Sequence, residues 1–485
     1  MSTLKICLVS SEVTPFSKTG GLADVLHGLG RYLGAAGVDV RIFTPLYDSV
    51  ARGGHRLEPD DSFDPVGIDF GGSKQHFQLQ KATLPESEVP VWFIDCPAMF
   101  GRDQLYSSTY QDEHIRFGLL SRAAIEACQH MGWIPDVFHC NDWHTGLLPL
   151  YLKSVYAWDE KLKNSKTLLT IHNIGYQGQF AASVLEDLGL KEVAGLLHQE
   201  DLRRDQINFL KTGLIYSDHL STVSETYARE IQEPDGGRGL EGILSARADH
   251  LSGIVNGVDY GDWSPQTDPN IPANFSAKDL SGKKECRDAL LDRMNLKQAD
   301  GTPVIGVVSR LTPQKGFDLL PDILPVLLRE RNLRLCILGS GEQRYEEYFQ
   351  WLRDRFPDQV GIYRGYHEEL AHWIEAGSDM FLMPSMYEPC GLNQMYSLRY
   401  GTVPIVRRTG GLADTVQAWD GETGTGFSFD DYEPQQLLDA IRAACSAFDS
   451  EKTWATIQQN GMSQDFSWEK QGPLYEKLYK SLISG

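Results

Sequence analysis

The sequence predicts an α/β protein built from two doubly wound, largely parallel sheet domains. Three observations carry this expectation. Short, continuous apolar and β-branched runs alternate with longer amphipathic stretches, the pattern of strands in a parallel sheet covered on both faces. That alternation runs from Leu4 to Val255, breaks, and restarts at Val304. The hexapeptide Thr-Gly-Gly-Leu-Ala-Asp also occurs once in each stretch, at Thr19–Asp24 and Thr409–Asp414, with a basic residue, Lys18 or Arg408, before each copy.

The first stretch predicts strands at Leu4–Val9, Val38–Thr44, Val91–Ile94, Val137–Cys140, Thr167–Ile171 and Ile254–Val255. Amphipathic segments such as Ala23–Ala36 and Arg116–His130 read as the intervening helices. The second stretch predicts strands at Val304–Ser309, Leu333–Leu338, Met380–Met383 and Val403–Val406. Between them, Asn256–Pro265 is rich in Asn, Gly, Asp and Pro, which mark turns, so the hinge is expected there. This gives domains at 1–262 and 263–465. Ligands of such sheets sit beyond the carboxyl ends of the strands. A Gly-Gly turn lets backbone N–H groups approach an oxygen-rich ligand, so the two hexapeptides are expected to face one cleft.

Composition narrows the partners. The 485 residues are 41% hydrophobic and 23% charged, which is ordinary for a globular protein. A net charge of −21, from 45 basic and 66 acidic residues, argues against nucleic acid or an anionic membrane as a partner. A phosphate-bearing ligand would then need local cations, and a neutral polymer would need none. The eight cysteines are scattered without C-x-x-C spacing, so neither a zinc site nor a disulfide framework is expected, and a reducing cytosol fits. The N-terminal apolar run is too short for a signal peptide and lacks transit-peptide composition, and no apolar run approaches the length of a membrane span. The expected location is therefore cytoplasmic.

Four clusters carry chemistry. Ser309–Gly316 follows the first strand of the second domain and offers Arg310 and Lys315, a planar fork and a point charge suited to one pyrophosphate. Tyr387–Gln394 follows a strand and reads as a turn into a helix whose free N–H groups suit a phosphate. Within it, the Glu388 carboxylate is placed to accept protons from sugar hydroxyls. His172 and Asn173 close an apolar strand, where a parallel sheet presents site residues. His139–His144 follows another strand. Its histidine spacing does not suit a metal, and Asp142, Trp143 and His144 read instead as groups that shape a sugar site.

Lys18–Asp24, His172-Asn173, Arg310 through Lys315 and Glu388-Pro389-Cys390-Gly391-Leu392 occur in the same order as in bacterial glycogen synthases and plant starch synthases, and the chain resembles that family along essentially its whole length. The resemblance is to the bacterial enzymes rather than a plant precursor. It implies the GT-B architecture, two Rossmann-like doubly wound domains with an interdomain cleft, and a C-terminal segment, 466–485, that crosses back to the first domain. It implies transfer of glucose from ADP-glucose to an α-1,4-glucan, glycogen or a malto-oligosaccharide, with retention of configuration. Lys18, Gly20 and Gly21 would hold the donor from the first domain. Arg310 and Lys315 would bind the diphosphate, and the helix after Gly391 and Leu392 would reach the distal phosphate. Glu388 would bind glucose hydroxyls beside Cys390. His172 would face the anomeric centre with Asp142, Asn173 and Asn256 nearby. Tyr366 would stack on adenine, and Asp24 would contact ribose or its own loop.

Two departures qualify the resemblance. Many retaining GT-B enzymes carry a second Glu eight residues after the first, where this chain has Tyr396, so their ribose contact is not carried over. Gly236-Gly237-Arg238 stands where relatives often have an aromatic before the glycine, and no site is assigned there. ADP leaves readily once Arg310, Lys315 and a helix terminus balance its charge, so neither a metal nor a cofactor is called for. Double displacement needs a carboxylate nucleophile opposite the leaving group, and none stands out in the sequence. The family mechanism is a same-face attack in which the departing phosphate takes the acceptor's proton. The alternatives are a sucrose-synthase-like glycosyltransferase and a non-catalytic glucan-binding homologue. The Lys18 and Glu388 motifs disfavour the first, and retention of every charged motif position disfavours the second.

Overall fold

A computed structural model describes residues 3–70, 72–102, 104–107, 111–298 and 301–484. It divides into two compact units. The first comprises Met1–Val223, Ala228–Gly257 and Trp468–Gly485, and the second Ser224–Tyr227 and Val258–Ser467.

Among the described residues the first unit holds a ten-stranded sheet. Its parallel part runs Leu251–Gly253, His219–Thr222, Lys166–Ile171, Val137–Asn141, Lys5–Val9, Asp39–Pro45, Pro90–Asp95. Ile6, Cys7, Leu8 and Val9 are all fully buried, as a central strand covered on both faces requires. Ser73–Thr83 then adds antiparallel to Pro90–Asp95 and pairs in turn with Glu58–Pro59 and Val66–Phe70. Ser73–Thr83 alternates, with Phe77 and Leu79 buried and their neighbours more open, so a search for continuous apolar runs passes over it. The strand expected at Ile254–Val255 lies instead at Leu251–Gly253, and Ile254 N–H only continues its ladder to the Thr222 carbonyl.

The second unit is a six-stranded, wholly parallel sheet in the order Val360–Arg364, Arg334–Gly341, Val304–Leu311, Met380–Met383, Val403–Arg407, Phe427–Phe429. Alternate residues of its strands feed two different cores. Ile305, Val307, Leu335 and Ile337 join a cluster with the helices Leu320–Glu330, Gln343–Arg355 and Pro434–Phe448. Val304, Cys336, Leu338 and Phe381 join another with Ser281–Arg293 and Glu368–Gly377. Burial of each such side chain stabilises by about 1.5–3 kcal/mol, so both faces hold the sheet in place. Both units are thus Rossmann-like. Among the described residues no helix is long and apolar enough to cross a membrane.

The C-terminal helix Trp468–Ser484 belongs to the first unit. Tyr32 donates to Glu476 at 2.7 Å, and the Tyr479 hydroxyl meets His139 Nδ1 at 2.8 Å. The Trp468 indole fits only because two neighbours are glycines. A Cβ on Gly28 would lie 1.8 Å from its Nε1, and one on Gly257 would lie 2.4 Å from its Cδ2. Trp468→Ala is therefore expected to destabilise the first unit by about 3–5 kcal/mol, the range for deleting a buried aromatic ring. Denaturant unfolding followed on that unit checks this, and an unchanged midpoint would show that the ring is not a structural anchor.

Candidate functional site

In each sheet the chain builds outward from one strand, then returns to build on its other side. The reversal in the second unit falls between Val304–Leu311 and Met380–Met383. Past those strand ends lie the Thr312–Gly316 loop and the Pro384–Leu392 turn. Gly316 holds φ +76°, and a Cβ there would sit 1.8 Å from the Pro384 carbonyl oxygen, so glycine lets the two segments touch. Met386 N–H donates to the Gln314 carbonyl at 2.8 Å across the same contact.

This packing delivers Lys315 to Glu388. The ammonium lies 2.7 Å from one carboxylate oxygen and 3.0 Å from the other. Ser385 Oγ donates to the same carboxylate at 2.9 Å. Glu388 is buried and the Lys315 side chain only 18% exposed, so the ion pair is poorly screened by water. Arg310 differs. It is exposed and forms no ion pair with any described residue, so its guanidinium is uncommitted. Cys390 is buried below the turn, and Gly391 takes φ +75° ahead of Leu392, which caps the helix Asn393–Arg399. Tyr366 stands 70% exposed after the edge strand Val360–Arg364.

The second hexapeptide lies directly against this turn. A Cβ on Gly410 would lie 1.9 Å from the Glu388 carbonyl oxygen, and one on Gly411 would lie 2.2 Å from that of Cys390. Gly411 N–H donates to the carbonyls of Glu388 and Pro389, both at 3.1 Å. This glycine pair permits close backbone packing, in contrast to the ligand-facing turn expected from sequence.

In the first unit the reversal falls between Lys5–Val9 and Val137–Asn141. Asp142 follows the second of these strands at φ +57°, ψ −175°, a backbone geometry that costs a non-glycine residue about 1–3 kcal/mol. Its Oδ1 accepts from the N–H of His172 at 2.7 Å and of Asn173 at 3.3 Å, which joins two neighbouring strand ends. Burial raises the Asp142 carboxyl to about 7, against the pull of those two amides, and the charge of Glu12 adds to the rise. Burial lowers His172 to about 3, so its imidazole is neutral. The Asn141 amide nitrogen donates to the Val9 and His139 carbonyls, which leaves Asn141 Oδ1 to accept from His172 Nε2 at 2.9 Å. That contact assigns the His172 proton to Nε2.

The Lys18 loop also lies past the first strand. Lys18 pairs with Asp24 at 2.8 Å, and Asp24 accepts from Thr14 Oγ1 at 3.0 Å, so Asp24 contacts its own loop. The amides of Thr19 and Gly20 donate to Glu12, and Gly21 begins the helix Gly21–Ala35. Asn256 is buried, and its Oδ1 has no hydrogen-bond partner among the described residues. His139 is held between Tyr479 and Thr170. Among the described residues no group of three or more His, Cys, Asp and Glu is arranged to hold a metal ion.

Sequence reasoning missed Glu12, Tyr106, Asn141 and Ser385. Only Glu12 carried a signal, as a lone carboxylate at the end of the apolar strand 5–9.

Two family models match the chain, the starch synthase catalytic domain over residues 5–246 and the glycosyl transferases group 1 over residues 291–460. A glycogen synthase from Anaeromyxobacter sp. (strain Fw109-5) is 44% identical, over 99% of this chain and 100% of that protein. One from Myxococcus xanthus (strain DK1622) is 45% identical, over 99% and 100%. The catalytic domain of starch synthase IV from Arabidopsis thaliana, solved with ADP and acarbose, matches with a TM-score of 0.92 and 35% identity, covering 100% of both chains.

The raised Asp142 value has a consequence for stability. Its ordinary value is 3.8 and its folded value about 7, so the native state keeps a proton that the unfolded chain releases. The stability this contributes is complete below the unfolded value and is lost as pH rises through the folded one. Asp142→Asn keeps the acceptor oxygen and does not titrate. Its stability relative to the parent protein is expected to rise between about pH 4 and about pH 7 and level off above. Denaturant melts of the two proteins across that range check it, and a flat difference would show that Asp142 is ionised throughout.

Proposed function

The chain belongs to the glycogen and starch synthase family of GT-B glycosyltransferases, and on that footing we propose that it transfers glucose from ADP-glucose to the non-reducing end of an α-1,4-glucan with retention of configuration. The observation that carries this reading is the Lys315–Glu388 pair beside the uncommitted Arg310, at the point where the second sheet reverses. A fork and a point charge suit the diphosphate, and a buried carboxylate suits sugar hydroxyls.

In this reading Arg310 and Lys315 bind the diphosphate and balance the charge that develops as the glucosyl bond breaks. Glu388 accepts from glucose hydroxyls while fixing the lysine. The backbone at Gly391 and Leu392 meets the distal phosphate beside Cys390, and Tyr366 stacks on adenine. Residues of the first unit act in the same turnover. Lys18, on the Gly20–Gly21 loop braced by Asp24, adds a cation. His172 faces the anomeric centre as a neutral imidazole whose one N–H, at Nε2, is given to Asn141 Oδ1, which fixes the ring. Asp142 holds the backbone of His172 and Asn173, and Asn256 offers a buried oxygen to a sugar hydroxyl. The leaving phosphate takes the acceptor hydroxyl's proton as the new bond forms on the same face. These cations suffice without a divalent ion. The acceptor is glycogen or a malto-oligosaccharide. The site of action is the cytoplasm, a reducing compartment that suits eight free, buried cysteines.

Labelled glucose supplied as ADP-glucose, and separately as UDP-glucose, tests the reading on a glycogen acceptor. Incorporation from ADP-glucose supports it, and its absence with both donors rejects it. Lys315→Ala is expected to lower kcat by about 10²–10³, the scale for removing one group that meets developing charge, without loss of fold. Near-native turnover in that variant would remove Lys315 from the diphosphate site.

A further inference from the structure

The first hexapeptide reads as a turn whose amides await an anion, yet a side chain of the protein already takes them. Glu12, 3% exposed, stands just past the strand Lys5–Val9. Its Oε2 accepts from Thr19 N–H at 2.5 Å and Gly20 N–H at 3.3 Å, and its Oε1 accepts from Thr19 Oγ1 at 2.6 Å. Gly20 is the N-cap of the helix Gly21–Ala35 and has no side chain to cap it. A carboxylate from another segment therefore sits at the positive end of that helix, where an anion is favoured.

A second residue holds Glu12. Tyr106 donates its hydroxyl to Oε1 at 2.5 Å and also meets Ser11 Oγ at 2.8 Å. Burial, with Glu12 alongside, keeps the Tyr106 phenol well above its ordinary value, so it remains a donor. Its ring stacks on His144 at 4.7 Å. Buried Arg116 holds the preceding Leu105 carbonyl at 3.1 Å and the Met99 carbonyl at 2.8 Å. A chain of contacts thus runs from the helix Glu113–His130 through Tyr106 and Glu12 to the turn that bears Lys18.

We propose that Glu12, held by Tyr106, is a positioning residue for transfer: its carboxylate replaces the anion such a glycine turn would otherwise bind and fixes the turn so that it presents the Lys18 ammonium. This rests on the glucosyl-transfer reading above for its catalytic consequence. The turn then contributes to the reaction through the Lys18 side chain, and the amides of Thr19 and Gly20 are structural.

A double-mutant cycle tests it on the full chain. Glu12→Gln is expected to lower kcat/KM for ADP-glucose about tenfold in the parent protein, and by less than about twofold when Lys18 is already alanine, because the two act as a unit. Equal losses in both backgrounds would overturn the proposal. Tyr106→Phe keeps the ring on His144 and removes one donor. It should give a smaller loss that also vanishes in the Lys18→Ala background, and it carries the test if Glu12→Gln does not fold. Hydrogen exchange is the second readout. Amides in 18–24 should lose protection in Glu12→Gln while the sheet keeps its own, and unchanged protection would overturn the proposal. A parent protein that transfers no glucose would instead overturn the functional reading, and the exchange result would still decide the role of Glu12.

Discussion

A parallel sheet that grows first to one side and then to the other leaves a gap at its reversal, where two crossovers depart in opposite directions beyond the strand carboxyl ends. Each unit contains one such reversal, past Val9 and Asn141 in the first and past Leu311 and Met383 in the second. Most residues with proposed roles lie on these and neighbouring strand ends, while Asn256 and Tyr366 follow edge strands. A carboxylate in such a gap is neither in a strand ladder nor fully in water, so it needs partners of its own. Glu12, Asp142 and Glu388 each have two or more, and those partners determine where the loops go.

Charge is handled the same way in both units. A chain with a net charge of −21 must build any affinity for a diphosphate locally. Lys18 and Lys315 are each held by a carboxylate of their own unit, Asp24 and Glu388, which restricts where the ammonium goes. Arg310 alone of these cations is left uncommitted. His172 is kept neutral by burial, so it adds no charge to its strand end, and its one N–H is given to Asn141 Oδ1. Lys18 and Lys315 are thus each oriented within their own unit before any ligand arrives, the form of preorganisation that would favour charge developing in a transition state.

The fold class was legible because buried parallel strands such as Ile6–Val9 and Ile305–Val308 read as unbroken apolar runs. Ser73–Thr83 was not, because an antiparallel edge region alternates and its polar residues hide it. The family motifs located Lys315 and Glu388, but only the fold shows them as a pair, since they are 73 residues apart. The repeated hexapeptide shows the limit most clearly. Its two copies are identical in sequence, yet one gives its amides to Glu12 and the other packs beneath Glu388–Cys390. What each turn does depends on its neighbour in space. For the first copy that neighbour, Glu12, is itself held by Tyr106, 94 residues away, and no local pattern announces that contact.

Proton NMR of the products formed from ADP-glucose and a malto-oligosaccharide reads the new bond and the leaving group together. Retaining transfer from ADP-glucose requires that each new linkage carry an α-anomeric signal and appear in step with one ADP released. A β-anomeric linkage, or free glucose released in place of elongation, would contradict it.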